Sequence, residues 1–169
     1  MVYYQFIEKD PRIIGQIHLS PGNDAGFMRY RLGEKRYNEV NEMVKKMIEE
    51  GREKELLPEE LAIVSPMSAM AYYGYLIEDG VGNIFPYHNP ESHNWEILKK
   101  IKEPMLVIFG DRDNFIKPSI NEAVKLFKEK SNSAKLIDVR IIKGANHSFI
   151  GYEEEVAEII SEWLKKNFL

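Results

Sequence analysis

The chain has 169 residues, a net charge of −4 and no cysteine, which suits one domain with an adequate core and excludes disulfides, thiolate zinc sites and cysteine nucleophiles. Lys and Glu are interleaved throughout, leaving no basic stripe for nucleic acid and no polybasic segment for an anionic membrane. No apolar run approaches the roughly 20 residues needed to span a bilayer, and the first ten residues lack the basic region and cleavage site of a signal peptide.

These features lead us to expect a soluble, cytoplasmic, single-domain protein. A charged fraction of 30%, rich in Lys and Glu, suits a hyperthermophile.

In chain order, R-I-I-G-Q-I-H-L (12–19) is a β-branched apolar run ended by the turn formers S-P-G-N-D. It reads as a buried strand. Tyr37, Val40, Val44, Met47 and Ile48 recur at helical spacing, predicting a helix over 34–50, with Gly51 where a left-handed residue closes helices. The M-R-Y-R stretch (28–31) offers arginines to an acidic ligand, but such residues are more often a surface whose stems cover apolar neighbours.

In S-P-M-S-A-M-A-Y-Y-G-Y-L, Ser65 is the expected N-cap and Pro66 the first helical residue. The helix is apolar on several sides, as suits a cover over something else. A Gly- and Pro-punctuated loop (81–93) then leads to a short helix with Trp95, Leu98 and Ile101.

M-L-V-I-F (105–109) has no polar alternation, as in a parallel strand covered on both faces. After G-D-R-D-N-F-I-K-P, a helix expected from Pro118 buries Ile120, Ala123, Val124 and Phe127. A strand follows over 136–142, then K-G-A-N-H-S-F. The last helix, from Tyr152, buries Val156, Ile159, Ile160, Trp163 and Leu164. Its first turn is acidic and its last turn basic, which complements the helix dipole.

Strand, helix, strand, helix with short links predicts an α/β fold: about three parallel strands with helices on both faces, joined by right-handed crossovers. Chemistry in such sheets gathers at the carboxyl ends of the strands. Asp113 and His147 follow successive strands there at similar distances, so adjacent strands would bring them together. A carboxylate accepting from Nδ1 fixes the imidazole tautomer and stabilises the imidazolium formed when Nε2 takes a proton. The alternatives are a turn or cap carboxylate for Asp113, Asp111 as the acid, and a merely packed loop histidine for His147.

The ordered set M-L-V-I-F-G-D-R-D-N-F-I-K-P, helix, D-V-R-I-I-K-G-A-N-H-S-F, helix resembles the C-terminal portion of the α/β-hydrolase fold. In that family the acid follows a strand in G-x-x-D, which falls on Gly110 and Asp113. The histidine follows the last strand in G-x-x-H, which falls on Gly144 and His147. I-I-G-Q-I-H-L-S-P-G-N-D is similar to the family's preceding strand, and 27–101 takes the place of a helical cap over the substrate pocket.

The resemblance implies a partial α/β-hydrolase domain over 1–169, serving ester or other acyl hydrolysis. It also implies an upstream strand, G-x-S-x-G and helix, in which the serine is exposed beside an oxyanion hole. No G-x-S-x-G occurs in this sequence, and residues 1–11 are too few for the family's earlier strands. Ser20 and Ser148 lie nearest the active edge, but neither sits on a strand-to-helix elbow. The expectation is that Asp113 and His147 lack their nucleophile in this chain. An open edge on the first strand then calls for a second copy of the chain, as a dimer, or for a separate chain carrying the first half of the fold.

Metal readings fail on spacing. In D-R-D-N-F-I-K-P-S-I-N-E, Phe115 and Ile116 stand where a calcium loop needs a ligand and a glycine. His88 and His93 are five apart in a Pro-containing loop, not four apart on a helix. Neither metal nor cofactor is expected.

Overall fold

The computed structural model describes residues 2–63 and 65–169. Helix α1 (Val2–Glu8) precedes strand β1 (Gln16–Leu19). Helices α2 (Asp24–Leu32), α3 (Glu34–Glu49) and α4 (Ala69–Leu76) form an arm, with a 3-10 turn over Glu59–Leu61. Then come α5 (Trp95–Lys99), β2 (Met105–Gly110), α6 (Ile120–Lys130), β3 (Ile137–Ile142) and α7 (Glu153–Phe168).

The sheet has the order β1-β2-β3 with both pairs parallel. All six residues of β2 are buried, as a central strand with no polar alternation requires. On one face, Met105, Val107 and Phe109 pack with Trp95, Leu98, Ile101, Ala123, Leu126 and Phe127 from α5 and α6, and with Val2 of α1. On the other, Leu106 and Ile108 pack with Ile142, Ala145, Phe149 and the Val156–Trp163 stripe of α7. The result is a three-layer α/β arrangement.

Helix α3 presents Tyr37, Val40, Val44 and Met47 inward, as its spacing predicts, and Gly51 has φ +74°. Together with Met28, Leu61, Ala69, Tyr72, Leu76 and Ile77 these make a separate hydrophobic cluster in the arm. Phe85, Tyr87 and Trp95, later in the same stretch, pack into the core beneath the sheet instead.

Several elements depart from the expectation. The first strand is only four residues long, because the ladder begins where Gln16 N–H donates to Pro104 O (2.9 Å). Pro104 has no N–H with which to extend the pairing upstream. The strand is also only half covered: Ile14, Ile17 and Leu19 remain 64%, 37% and 48% exposed, while Gln16 and His18 point inward. Register explains this, since Ile17 and Leu19 pair with Leu106 and Ile108 on the face where α7 covers β2.

Helix α4 starts at Ala69, capped by Ser68, whose Oγ accepts from Ala71 N–H. Ser65 stays outside the helix and is exposed. Likewise α6 starts at Ile120 behind an extended Ser119, whose Oγ accepts from Glu122 N–H (3.2 Å), rather than at Pro118. A serine in extended geometry outcompetes proline because it satisfies a free N–H of the first turn. Leu164 is exposed rather than buried.

Candidate active site

The loops after β2 and β3 are sewn together by their backbones. Asp111 N–H donates to Ile142 O and Arg112 N–H to Ala145 O, and Asp111 Oδ1 accepts from Gly144 N–H at 2.6 Å. A Cβ on Gly110 would stand 2.3 Å from Ala145 O and 2.9 Å from Asn146 O; only glycine admits so close a backbone approach. Gly144 has φ +88°, and a Cβ there would meet the Tyr152 hydroxyl oxygen at 2.3 Å. Both glycines of the two motifs are thus fixed by geometry, and Asp111 is a loop tie.

This joint brings Asp113 and His147 together. Asp113 Oδ2 lies 2.7 Å from His147 Nδ1, and Asp113 Oδ1 accepts from Phe115 N–H at 2.8 Å. The carboxylate has no solvent exposure, whereas the imidazole is 37% exposed. Bonded this way, Nδ1 carries the proton and Nε2 is the free base nitrogen. Phe115 packs on the ring with centroids 4.8 Å apart.

The His147 imidazole is held above its usual value, first by the hydrogen bond it donates to Asp113 and then by the charges of Asp113 and Asp24, against the opposing effect of burial. Burial, then the Asp113 charge, raises the Tyr87 phenol well above its ordinary range.

A cavity of about 320 Å³ opens between this pair and the arm, lined by His147, Phe115, Asp24, Ile63, Ser65, Met67, Tyr75 and Leu76. The arm is held to the sheet loops by polar contacts. Asn23 Nδ2 donates to Lys117 O (3.0 Å), and His88 lies between Asn23 Oδ1 and the Glu78 carboxylate. Asn89 Nδ2 donates to Glu78 Oε1 (2.9 Å).

Of the other residues noted in the sequence, Ser20 has a positive φ of 41°, but its Oγ is enclosed without a partner among the described residues. Ser148 is exposed. His93 sits at the surface, 3.8 Å from Asp79. Arg29 pairs with Glu34 and Glu78, and Arg31 donates to Glu60 O and Ala62 O, so both arginines serve the arm itself. Among the described residues no group of three or more His, Asp or Glu side chains is arranged to hold a metal ion. Nor is any helix long and apolar enough to cross a membrane. Asp24 and Phe115 are the site neighbours that sequence reasoning missed. Asp24 opens α2 and Phe115 lies in the turn after β2, positions that by themselves signal no ligand.

A family model described as a protein of unknown function, DUF1749, matches residues 1–167. The chain belongs to this family. Among solved structures it is similar to the Pyrococcus furiosus esterase Pf2001, at 16% identity and a TM-score of 0.50, over 97% of this chain and 48% of the esterase. A second crystal form of that esterase aligns at 17% identity and a TM-score of 0.42, over 97% of this chain and 47% of the other. Comparison with curated proteins gave no match. This DUF1749 member therefore shares the fold of that esterase and spans about half the length of the esterase chain it matches.

Proposed function

We propose that this chain supplies the acid and the base of a serine esterase or related acyl hydrolase, the serine being carried by polypeptide beyond this sequence. The observation that carries the reading is the buried Asp113 carboxylate at 2.7 Å from His147 Nδ1, with the ring lining a cavity at the carboxyl edge of a parallel sheet. Nε2 takes the proton of the serine hydroxyl as Oγ attacks the ester carbonyl. The resulting imidazolium returns it to the departing alcohol, leaving an acyl-enzyme. Water then repeats the sequence on the acyl-enzyme, giving the acid and free serine. Asp113 keeps Nδ1 protonated and stabilises the imidazolium. The exposed apolar flank of β1 is where the polypeptide bearing the serine completes the sheet.

The test is labelling with a fluorophosphonate probe. The protein is purified from its native source together with whatever polypeptide accompanies it. Labelling of a serine outside residues 1–169, lost in His147→Ala, is the expected outcome; no labelling with the companion present sinks the reading. Hydrolysis by the same assembly before labelling should rise with pH through a midpoint above 6.5, since the base form is the neutral imidazole and its proton is held more tightly than usual.

A second reading is a catalytically silent chain that associates with itself through β1. The exposure of Ile14, Ile17 and Leu19 favours it. Its solution mass decides: a well-folded monomer contradicts self-association.

A further inference from the structure

Asp24 is a polar group beside His147 to which the fold gives no hydrogen-bond partner among the described residues. It stands in the first turn of α2, but the cap there is Asn23, whose side chain accepts from Gly26 N–H. Elsewhere carboxylates are paired with arginines, as Glu34 with Arg29, Glu55 with Arg52 and Asp138 with Arg140. The Asp24 carboxylate forms no hydrogen bond or ion pair among the described residues. It is half-buried and lines the same cavity as His147, whose other walls include Ile63, Met67, Leu76 and Phe115. Burial pushes its carboxyl upward, with His147 opposing.

A half-buried, unpartnered carboxylate on a largely apolar wall has lost part of its hydration without gaining a donor. Charge-assisted hydrogen bonds to such a group are stronger than neutral ones, and a ligand lacking the donor leaves it unsatisfied. We propose that Asp24 is a specificity determinant of this cavity, selecting ligands that carry an ammonium group beside an apolar body. On the esterase reading, on which the substrate assignment rests, the substrates are esters bearing a cationic amine. The ammonium sits on Asp24, the hydrocarbon lies against Met67, Leu76 and Phe115, and the ester faces His147.

Binding tests this without any nucleophile. Phenylbutylamine, phenylbutanol and phenylbutyrate are titrated into the whole chain at mildly alkaline pH, followed by the NMR signals of the Met67 methyl and the His147 ring. The amine should bind about tenfold more tightly than the alcohol, and the carboxylate more weakly than either. Asp24→Asn should equalise amine and alcohol.

Amine binding should also lower the His147 titration midpoint, because it neutralises a charge that now raises it. Equal affinities in the unaltered protein, or a preference that survives Asp24→Asn in a folded variant, overturn the proposal. If that variant does not fold, the ranking in the unaltered protein and the His147 shift decide. A cation preference without serine labelling sinks the esterase reading alone. Labelling without a cation preference sinks this inference alone.

Discussion

At the carboxyl ends of β2 and β3, polar groups meet partners, the buried Asp113 among them. Asp113 holds His147 and Phe115 N–H, and Asp111 holds Gly144 N–H. Along β1 the arrangement is inverted. Gln16, His18 and Ser20 turn inward with buried polar atoms that find no partner among the described residues, while Ile14, Ile17 and Leu19 face outward. An unsatisfied buried polar group costs about 1–3 kcal/mol, so one edge of the sheet is finished and the other is a liability. Precision has been placed where Asp113 and His147 meet, and the deficit lies where further chain would pack.

The comparison breaks first if the finished end tolerates crowding. Gly110→Ala would drive a Cβ into backbone atoms of Ala145 and Asn146, which cannot rotate away. A loss of about 4 kcal/mol is expected in chemical unfolding, at the severe end for single substitutions. Loss of the downfield Nδ1 proton signal of His147 should accompany it. Unchanged stability would mean that the two loops are not joined as described.

At the deficient edge the expected effect is smaller and of opposite sign. His18 is buried against Phe85 and Phe127, and burial lowers its imidazole from 6.5 to about 4. The unfolded chain therefore binds a proton between pH 6.5 and 4 that the folded protein refuses. Stability is fully present above 6.5 and falls as the pH drops, by about 3 kcal/mol at pH 4. His18→Leu should remove that acid dependence and leave the protein more stable at pH 4 than the parent. An unchanged pH profile would show that His18 is hydrated.

His147 titrates the other way. Its folded value is raised, so its contribution is complete below 6.5 and disappears as pH rises through the folded value. The ring is partly exposed, which limits the effect to about 1 kcal/mol or less. In a His18→Leu background, the stability lost by His147→Gln should shrink from acid to alkaline pH. A gap that widens instead would reverse the sign of the pair.

The finished end was also the legible one. A continuous apolar run such as Met105–Phe109, bounded by Pro104 and Gly110, reads as a covered central strand, and a glycine stands three residues before both Asp113 and His147. The helical stripe of α3 was equally plain. Helix α2 was not, since its buried residues are Ala25, Gly26 and Met28, small groups that give little amphipathic contrast. The start of α4 misled because Ser65-Pro66 and Ser68 are competing caps, and tertiary packing chose the second.

At β1 the sequence shows four apolar residues among Ile13, Ile14, Ile17 and Leu19, which reads as burial. Which face they take depends on register with β2, and register is a non-local property. Asp24 was invisible for the same reason: its role as a bare carboxylate arises only when the arm closes over His147.

The smallest effect belongs to the outward flank of β1, and it sharpens the contrast most. Ile17→Ser and Leu19→Ser remove apolar surface that is already partly in water, so in a lone chain each should change stability by only about 0.5 kcal/mol. If that flank is covered by more polypeptide, the same substitutions uncover a packed side chain and cost about 2 kcal/mol or more, and the solution mass falls as the assembly weakens. The two outcomes differ by about 1.5 kcal/mol, a factor of about ten in the folded-to-unfolded ratio, well within the reach of denaturant titration. Measuring both variants with and without companion polypeptide therefore separates an edge strand that tolerates water from one that is half of an interface. Only the second keeps a reason for apolar residues to face outward while Gln16 and His18 are buried.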